Sequence, residues 1–488
     1  MRLSIDEIAK VLGSSVTVTE SVVDNYSIDS RATQPGSVFF AIHGPRLDGH
    51  NFVAQAFDRG AVAAVVEQGF LEHSPERLRG ALIPVRDTAL ALQQLARAVR
   101  RKWGRRVIGV TGSTGKTTTK ELLATLLATR FTVHRSAGNL NNLYGVPLAL
   151  LALEPAHEVA VLELAMSAPG EIARLAQIAE PEVGVVTNVA PVHLEFFDSV
   201  DSIARTKREL IENLKPPATA VLNADDLRVR SFGEGFQGRI VTFGFADDAQ
   251  IQGLDWRDAG PEGSQLRVRG LGAPRPLLPD AGPEGSGPRE GGPAWDCDFE
   301  LHLPGRHNAE NLLAALAAAS LFPIPTDDLQ RAVASFHGLH QRSEIIEWLD
   351  GTVLVDDSYN SNPLAMERML ETLAAWSGTR RRIIVAGEML ELGVSSPELH
   401  RAVGRKCAVL GADWLVAVQG DARYFLEGAV EAGMSPERTQ FFSQAQEATE
   451  YCCALIRPGD LVLIKGSRGV ALERIVDALC RPLFFALR

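Results

Sequence analysis

Gly112-Ser113-Thr114-Gly115-Lys116-Thr117-Thr118 puts two glycines, a lysine and four hydroxyl side chains into one short stretch. Those residue types suit the holding of a polyphosphate. An apolar strand, Arg106 to Val110, leads into the turn, and a helix is expected over Lys120 to Thr129. In such a strand–turn–helix the backbone N–H groups face a phosphate, the lysine reaches the outer phosphates, and the Thr117 hydroxyl can ligate Mg²⁺. The strict GxxxxGK[ST] spacing is missed by one position, because Val110 stands five residues before Gly115 and the glycine is Gly109. Other residues downstream have the right chemistry for the same site. Glu163 ends the strand Val159–Leu164, at the edge where such sheets bind ligands, and a carboxylate there reaches Mg²⁺ directly or through water. Taken alone, a strand-end glutamate is more often solvated or capping. His193, in Thr-Asn-Val-Ala-Pro-Val-His-Leu-Glu, is a metal ligand or a structural loop histidine. Lys207 lies in the helix Val200–Leu214, where spacing alone makes it a surface lysine. Asn308, in Gly-Arg-His-Asn-Ala-Glu-Asn, either reads an adenine edge or caps the alanine-rich helix that follows.

These residues need a scaffold. A chain of 488 residues suggests about three domains. Residues 1–98 open with a short helix and continue as short strands and turns. The basic stretch 99–106 (VRRKWGRR) reads as a link. From Val107 the pattern alternates strand and helix, with strands at Val159–Leu164, Val183–Val189 and Thr219–Asn223, as in a doubly wound, mainly parallel sheet. Residues 255–297 interrupt it with a Gly/Pro-rich insert. Asp-Ala-Gly-Pro-Glu-Gly-Ser occurs there twice, at 258–264 and 280–286, and the insert reads as a decorated loop around a strand Gln265–Val268. A second, Rossmann-like sheet begins near Gly338, with strands at Val353–Asp356, Arg382–Ala386, Trp414–Val418 and Leu461–Lys465. The domains are expected at 1–98, 99–337 and 338–488.

A formal net charge of −11 argues against a general nucleic-acid binder. It leaves a nucleotide site open, since a nest of amides works whatever the net charge. Five scattered cysteines without a CxxC pair fit a reducing cytoplasm. No apolar run approaches the ~20 residues of a membrane span, and the amino terminus has no signal-peptide pattern.

Taken in order, these motifs carry a resemblance. Thr111–Thr119, the Glu163 strand end, Asn188 with His193, Lys207 in ARTKREL and the GRHNAEN segment resemble the Mur ligase family and its folylpolyglutamate synthetase cousins. Asp356–Pro363 (DDSYNSNP), VAGEMLELG at 385–393 with His400 after it, and VLIKGSRG at 462–469 are similar to the branch that adds a dipeptide. Ile28-Asp29-Ser30-Arg31, PGSVFFAIHG at 35–44 and DGHNFVAQAFDRGA at 48–61 look like the family's UDP-sugar module. The likeness covers nearly the whole chain apart from 255–297. It implies three α/β domains: an N-terminal UDP-sugar-binding module, a central phosphate-loop sheet and a C-terminal Rossmann-like sheet.

The resemblance also implies roles. Lys116 and the amides of Gly112, Ser113, Thr114, Gly115, Thr117 and Thr118 hold ATP phosphates. Thr117 and Glu163 hold Mg²⁺, and His193 a second Mg²⁺. Lys207 matches a lysine that is carbamylated in the family. Asn308 lies at the adenine, Asp357 at the ribose, and Arg342 reaches the γ-phosphate. Asn139, Asn141 and Asn142 flank the muramoyl peptide, Ser30 and Arg31 the uridine, and Tyr359, Asn360 and Asn362 the dipeptide. The implied reaction is ATP-driven, ADP-forming amide ligation through an acyl phosphate. It joins D-alanyl-D-alanine to UDP-N-acetylmuramoyl-tripeptide in the cytoplasm, for peptidoglycan, cell-wall growth and division. The partners are then small molecules only, and a monomer is expected. Two alternatives stand beside it: the branch adding a single amino acid, whose DNPR-like motif is absent here, and a nucleotide switch without ligation. There are three departures from the pattern, one of them the insert 255–297 and the other two local. Gln341 precedes the arginine where glycine is usual, which leaves the local turn open, and Glu388 stands where aspartate is usual.

Overall fold

The computed structural model describes residues 1–480 except 15–20, 24, 45–46, 271–294, 349, 377 and 379. It contains three main sheets, in chain order.

The first domain has four parallel strands, Tyr26–Ser27, Val38–Phe40, Ala63–Glu67 and Leu82–Val85, with a small antiparallel pair of Leu3–Ser4 and Val22–Val23 beside them. The helix Thr88–Trp103 then buries Leu92, Leu95, Ala96, Val99 and Trp103 in one core with the central domain. The Asp87 carboxylate accepts from Leu90 N at 2.8 Å at its start, and Gly104 ends it with a left-handed φ of 70°. The expected link at 99–106 is therefore mostly the last turn of this helix. Its arginines dock rather than tether. Arg100, 1% exposed, donates to the carbonyls of Ala179 and Glu180 and to Glu182 Oε1 at 2.7–2.9 Å. The basic residues looked like a solvated linker because their acceptors lie some 80 residues away in sequence.

The central sheet has nine strands in the order Trp295–Leu301, Ser264–Gly270, Ile251–Asp258, Arg239–Gly244, Thr219–Asn223, Val183–Val186, Arg106–Thr111, Val159–Glu163 and Val133–Arg135. Its middle strands pair in parallel and are apolar on both faces, as helices on either side require. The start of the insert, expected from 255 as a decorated loop around a strand Gln265–Val268, is instead part of an antiparallel hairpin of Ile251–Asp258 and Ser264–Gly270, with a register shift between Gly253 and Trp256, that extends this sheet, and the strand Trp295–Leu301 closes on it. The first Asp-Ala-Gly-Pro-Glu-Gly-Ser copy makes the turn of that hairpin; the second lies outside the described residues. The helix Arg306–Ala319 is buried along almost its whole length between the sheet and the helix Lys116–Ala128.

The third sheet runs Glu344–Glu347, Val353–Asp357, Leu461–Lys465, Arg382–Gly387, Trp414–Val418 and Thr439–Phe442, parallel except for its first strand. It packs near the central domain. Arg368 pairs with Glu310 at 3.0 Å, and Trp376 Nε1 donates to Asp258 Oδ1 at 3.1 Å. Among the described residues no helix is long and apolar enough to cross a membrane.

Candidate active site

The strand Arg106–Thr111 delivers the phosphate loop to the ligand edge of the central sheet, and Lys116 opens the following helix. Two glycines are needed here. Gly112 has φ 151° and Gly115 φ 78°; a Cβ would lie 1.8 Å from Thr187 Oγ1 at the first and 2.1 Å from Asn311 Oδ1 at the second. The neighbouring strand ends at Val186, three residues short of expectation, because the next residues leave the sheet to hold this loop. Asn188 O accepts from Ser113 N at 2.9 Å, Asn188 Oδ1 from Thr114 N at 3.0 Å, and Thr187 Oγ1 donates to Thr114 O at 2.6 Å.

Thr117 Oγ1 donates to Glu163 Oε2 at 2.7 Å, and Asn141 Nδ2 to Glu163 Oε1 at 2.9 Å. The hydroxyl and carboxylate that sequence spacing singled out thus meet in a buried position. These are hard oxygen donors of the kind Mg²⁺ takes. Asn142 Oδ1 instead accepts from Tyr144 N and Gly145 N, fixing the start of the helix Gly145–Leu151, while Asn139 O accepts from Asn141 N.

Lys116 donates to the carbonyls of Gly112 at 2.9 Å and Ser113 at 3.3 Å. Burial lowers its pKa; the charge of Glu163 opposes that, and the charge of Arg342 adds to it. Two domains therefore contribute to the field at this ammonium. Lys207 is 2% exposed, with no hydrogen bond or ion pair among the described residues, and burial followed by the charge of Lys116 pushes its pKa well below the ordinary lysine value. It is not the surface lysine that spacing alone indicates.

His193 holds a left-handed φ of 56°, and its Nδ1 is 2.5 Å from Glu391 Oε2 of the C-terminal domain. That hydrogen bond holds the Glu391 carboxyl below the usual glutamate range. Glu195 N donates to Glu391 O at 3.1 Å, so the contact is doubled. Glu391 lies inside the VAGEMLELG segment, yet sequence reasoning passed over it for Glu388, which accepts from Asp421 N at 2.9 Å. His400 is structural: its Nε2 accepts from Met389 N at 3.0 Å and its Nδ1 donates to Ser396 O at 2.7 Å.

The C-terminal half brings Arg342, Asp357 and Tyr359 together. The Arg342 guanidinium lies 4.1 Å from the Tyr359 ring centroid, and Arg468 lies 5.3 Å from the same ring. Asp357 Oδ1 accepts from Ser343 N at 3.2 Å and Oδ2 from the buried Lys465 at 2.6 Å. Lys465 also donates to Asn360 O at 3.0 Å. It was unassigned because a lysine ending an apolar strand shows no partner in sequence. Gln341 keeps the tight turn in spite of its side chain, with φ 61°. Asn362 caps the helix Pro363–Ala375 by accepting from Ala365 N at 2.9 Å. Asn308 is not the cap, which is Gly305; it sits within the first turn, donating to Pro304 O at 2.8 Å and accepting from Asn311 at 3.2 Å beneath the phosphate loop. Ser30 and Arg31 belong to the first domain, where Ser30 Oγ donates to Gln55 at 2.6 Å and the exposed Arg31 pairs with Asp29. A cleft of about 740 Å³ lies at the opposite end of the strand Thr219–Asn223 and contains none of these residues.

Comparison with known proteins matches residues 22–100 to "Mur ligase family, catalytic domain", 110–319 to "Mur ligase middle domain" and 341–468 to "Mur ligase, glutamate ligase domain". A UDP-N-acetylmuramoyl-tripeptide–D-alanyl-D-alanine ligase of Bacillus subtilis (strain 168) is 32% identical, with 98% of each chain covered. Among solved structures, a MurF from Acinetobacter baumannii superposes with a TM-score of 0.83 at 28% identity over 98% of this chain and 99% of that one. A MurF ligase from Thermotoga maritima in complex with ADP gives 0.76 at 28% identity, covering 93% and 96%.

Proposed function

The chain belongs to the Mur ligase family, and from that membership we propose that it joins D-alanyl-D-alanine to UDP-N-acetylmuramoyl-tripeptide with conversion of ATP to ADP and phosphate. The observation that carries the reading is the meeting of Thr117 Oγ1 with Glu163 Oε2 at 2.7 Å beside the Gly112–Lys116 turn, where the charge of Arg342 from the C-terminal domain also acts on the Lys116 ammonium. A site that must bring an anionic peptide carboxylate to a triphosphate needs that concentration of cations.

In this reading ATP phosphates displace the loop carbonyls from Lys116 and take the amides between Gly112 and Thr118. The tripeptide carboxylate attacks the γ-phosphorus, the bond to the ADP oxygen breaks, and an acyl phosphate forms. The dipeptide amine then attacks the acyl carbon, phosphate leaves with the bonding pair, and the amine gives up a proton as the amide forms. Arg342, held over Tyr359, neutralises charge on the transferring group. Asp357 receives the ribose and Asn308 lies toward the adenine. Ser30 and Arg31 take the uridine end. Asn139, Asn141 and Asn142 flank the peptide, and Tyr359, Asn360 and Asn362 the dipeptide. Thr117, Glu163 and His193, with Lys207 as its carbamate, are the residues that would hold Mg²⁺, which supplies charge neutralisation. The depressed pKa of Lys207 favours the free amine, the form that adds CO₂. Domains divided near 98 and 337 and a monomer in the cytoplasm complete the proposal; both halves of the site lie on one chain.

The test is phosphate release with UDP-muramoyl-tripeptide and D-alanyl-D-alanine supplied singly and together. Release is expected only with both. Release that ignores the dipeptide, or that a single amino acid supports equally, overturns the assignment.

A further inference from the structure

Beside Arg342 and Asp357, three donor groups converge where the chain passes from the central domain into the third sheet. His340 and Glu344 are four residues apart on the connecting segment. Asp356 stands directly opposite Glu344 in the antiparallel pair of strands Glu344–Glu347 and Val353–Asp357. One donor atom from each of the three lies within 4.8 Å of the other two. His340 Nδ1 is 2.7 Å from Glu344 Oε2.

The buried member of the group is the informative one. Asp356 is 0% exposed. Its Oδ1 accepts from Ser358 N at 3.0 Å, but its Oδ2 is buried without a hydrogen-bond partner, and so is the Ser358 hydroxyl beside it. Buried carboxylate oxygens are normally satisfied, and an orphan calls for an explanation. The obvious cation does not supply one, because Lys465 is committed to Asp357. Among the described residues no lysine or arginine pairs with Glu344 or Asp356. Two carboxylates facing each other across a strand pair repel unless a proton or a cation lies between them.

We propose that His340, Glu344 and Asp356 bind one divalent cation of the zinc class. One imidazole and two carboxylates make a mixed nitrogen and oxygen set, which suits Zn²⁺ or Co²⁺ better than Mg²⁺, whose preference is for oxygen. Metal–donor bonds near 2.0–2.2 Å place tetrahedral ligands roughly 3.4 Å apart. His340 Nδ1 and Glu344 Oε2, 2.7 Å apart, must open by about 0.7 Å, and any donor pair at the 4.8 Å limit must close by about 1.4 Å. The rearrangement falls on His340, whose side chain is 73% exposed and free to swing, while Asp356 stays fixed in the sheet. The cation takes the place of the proton between His340 Nδ1 and Glu344, and a water completes the fourth position. It fastens the connecting segment, including the left-handed Gln341 and Ser343 at φ 61° and 54°, to the third sheet. The site stands apart from Thr117 and Glu163 and does not rest on the ligase reading.

The test titrates ZnCl₂ into the full chain by calorimetry, with millimolar Mg²⁺ present and in a Cys480→Ser background so that the nearby exposed thiol captures nothing. One zinc equivalent with micromolar or tighter affinity is expected. His340→Ala and Glu344→Gln should each weaken it at least 30-fold while leaving the metal-free melting temperature unchanged. His340 is an exposed ring, so its removal tests the site without threatening the fold; Asp356→Asn is reserved for a variant that passes circular dichroism. Zinc-edge anomalous diffraction should place a peak among the three residues. Equal zinc affinity in His340→Ala, or a peak at His193 alone, overturns the proposal.

Discussion

Replacing Arg342 by alanine is the sharpest probe of how the two halves of the site cooperate. The guanidinium stacks on Tyr359 at 4.1 Å and contributes charge at Lys116, which belongs to another domain. Loss of the stack at a partly exposed position costs about 0.5–1 kcal/mol, small against the ~5–15 kcal/mol that holds a domain together, so the variant should fold. The catalytic loss is larger. Removing one preorganised charge-stabilising donor costs about 2.7–4 kcal/mol, on the order of 100- to 1000-fold in kcat. ATP binding should change much less, since Lys116 and the loop amides carry the ground-state phosphate contacts and the arginine matters most as charge shifts in the transition state. Arg342→Lys should fall between, because a point charge on a flexible stem neither stacks nor forks as guanidinium does. The assay is coupled phosphate release at saturating tripeptide and dipeptide substrates, with ATP affinity measured separately by calorimetry. Small-angle scattering follows the compaction expected when nucleotide and acceptor are both bound. A kcat within tenfold of wild type, or a loss that appears wholly as weaker ATP binding with no compaction under any ligand condition, would refute the shared-site mechanism.

Gly115→Ala should weaken ATP binding at least tenfold by calorimetry, since its Cβ would sit 2.1 Å from Asn311 Oδ1 at φ 78°, and Asn311→Ala should rescue it only in part because the left-handed backbone still costs ~1–2 kcal/mol. Lys207→Ala should lose activity and regain some with millimolar acetate or formate in the vacated pocket; absence of any rescue, together with a crystal structure showing an unmodified amine in bicarbonate, would count against carbamylation. Lys116→Ala should abolish phosphate release with an unchanged circular dichroism spectrum. Burial lowers the pKa of His134 and of His307 to about 4. The unfolded chain, with histidines near 6.5, therefore binds more protons between those values, so stability is present above about pH 6.5 and is lost as pH falls toward 4. At pH 5 that loss is on the order of 1–2 kcal/mol per histidine, so melting temperature should drop from pH 7.5 to 5, and His134→Gln should narrow the drop.

Most of the α/β organisation could be read from local pattern. Alternating apolar strands and amphipathic helices set the central and C-terminal sheets, and the strands Thr219–Asn223, Trp414–Val418 and Leu461–Lys465 fall where the sequence put them. The phosphate loop was legible too, because its chemistry sits in consecutive residues. The sequence alone also determined the order of the motifs, and with it the family. The tertiary structure decided whatever depends on partners distant in the chain. Arg100 looked like a linker residue until its acceptors at 179–182 were in view. Lys207 looked solvated, and only packing buries it beside Lys116. His193 meets Glu391 across 198 positions, and Lys465 meets Asp357 across 108. Residues 255–270 open a Gly/Pro-rich insert in which only Gln265–Val268 reads as a strand, yet both arms of a hairpin form because the edge of an existing sheet supplies the hydrogen-bond partners. Local sequence fixes backbone propensity and side-chain type, whereas desolvation and charge pairing are properties of the assembled neighbourhood, so burial and electrostatics appear only once the domains are packed together.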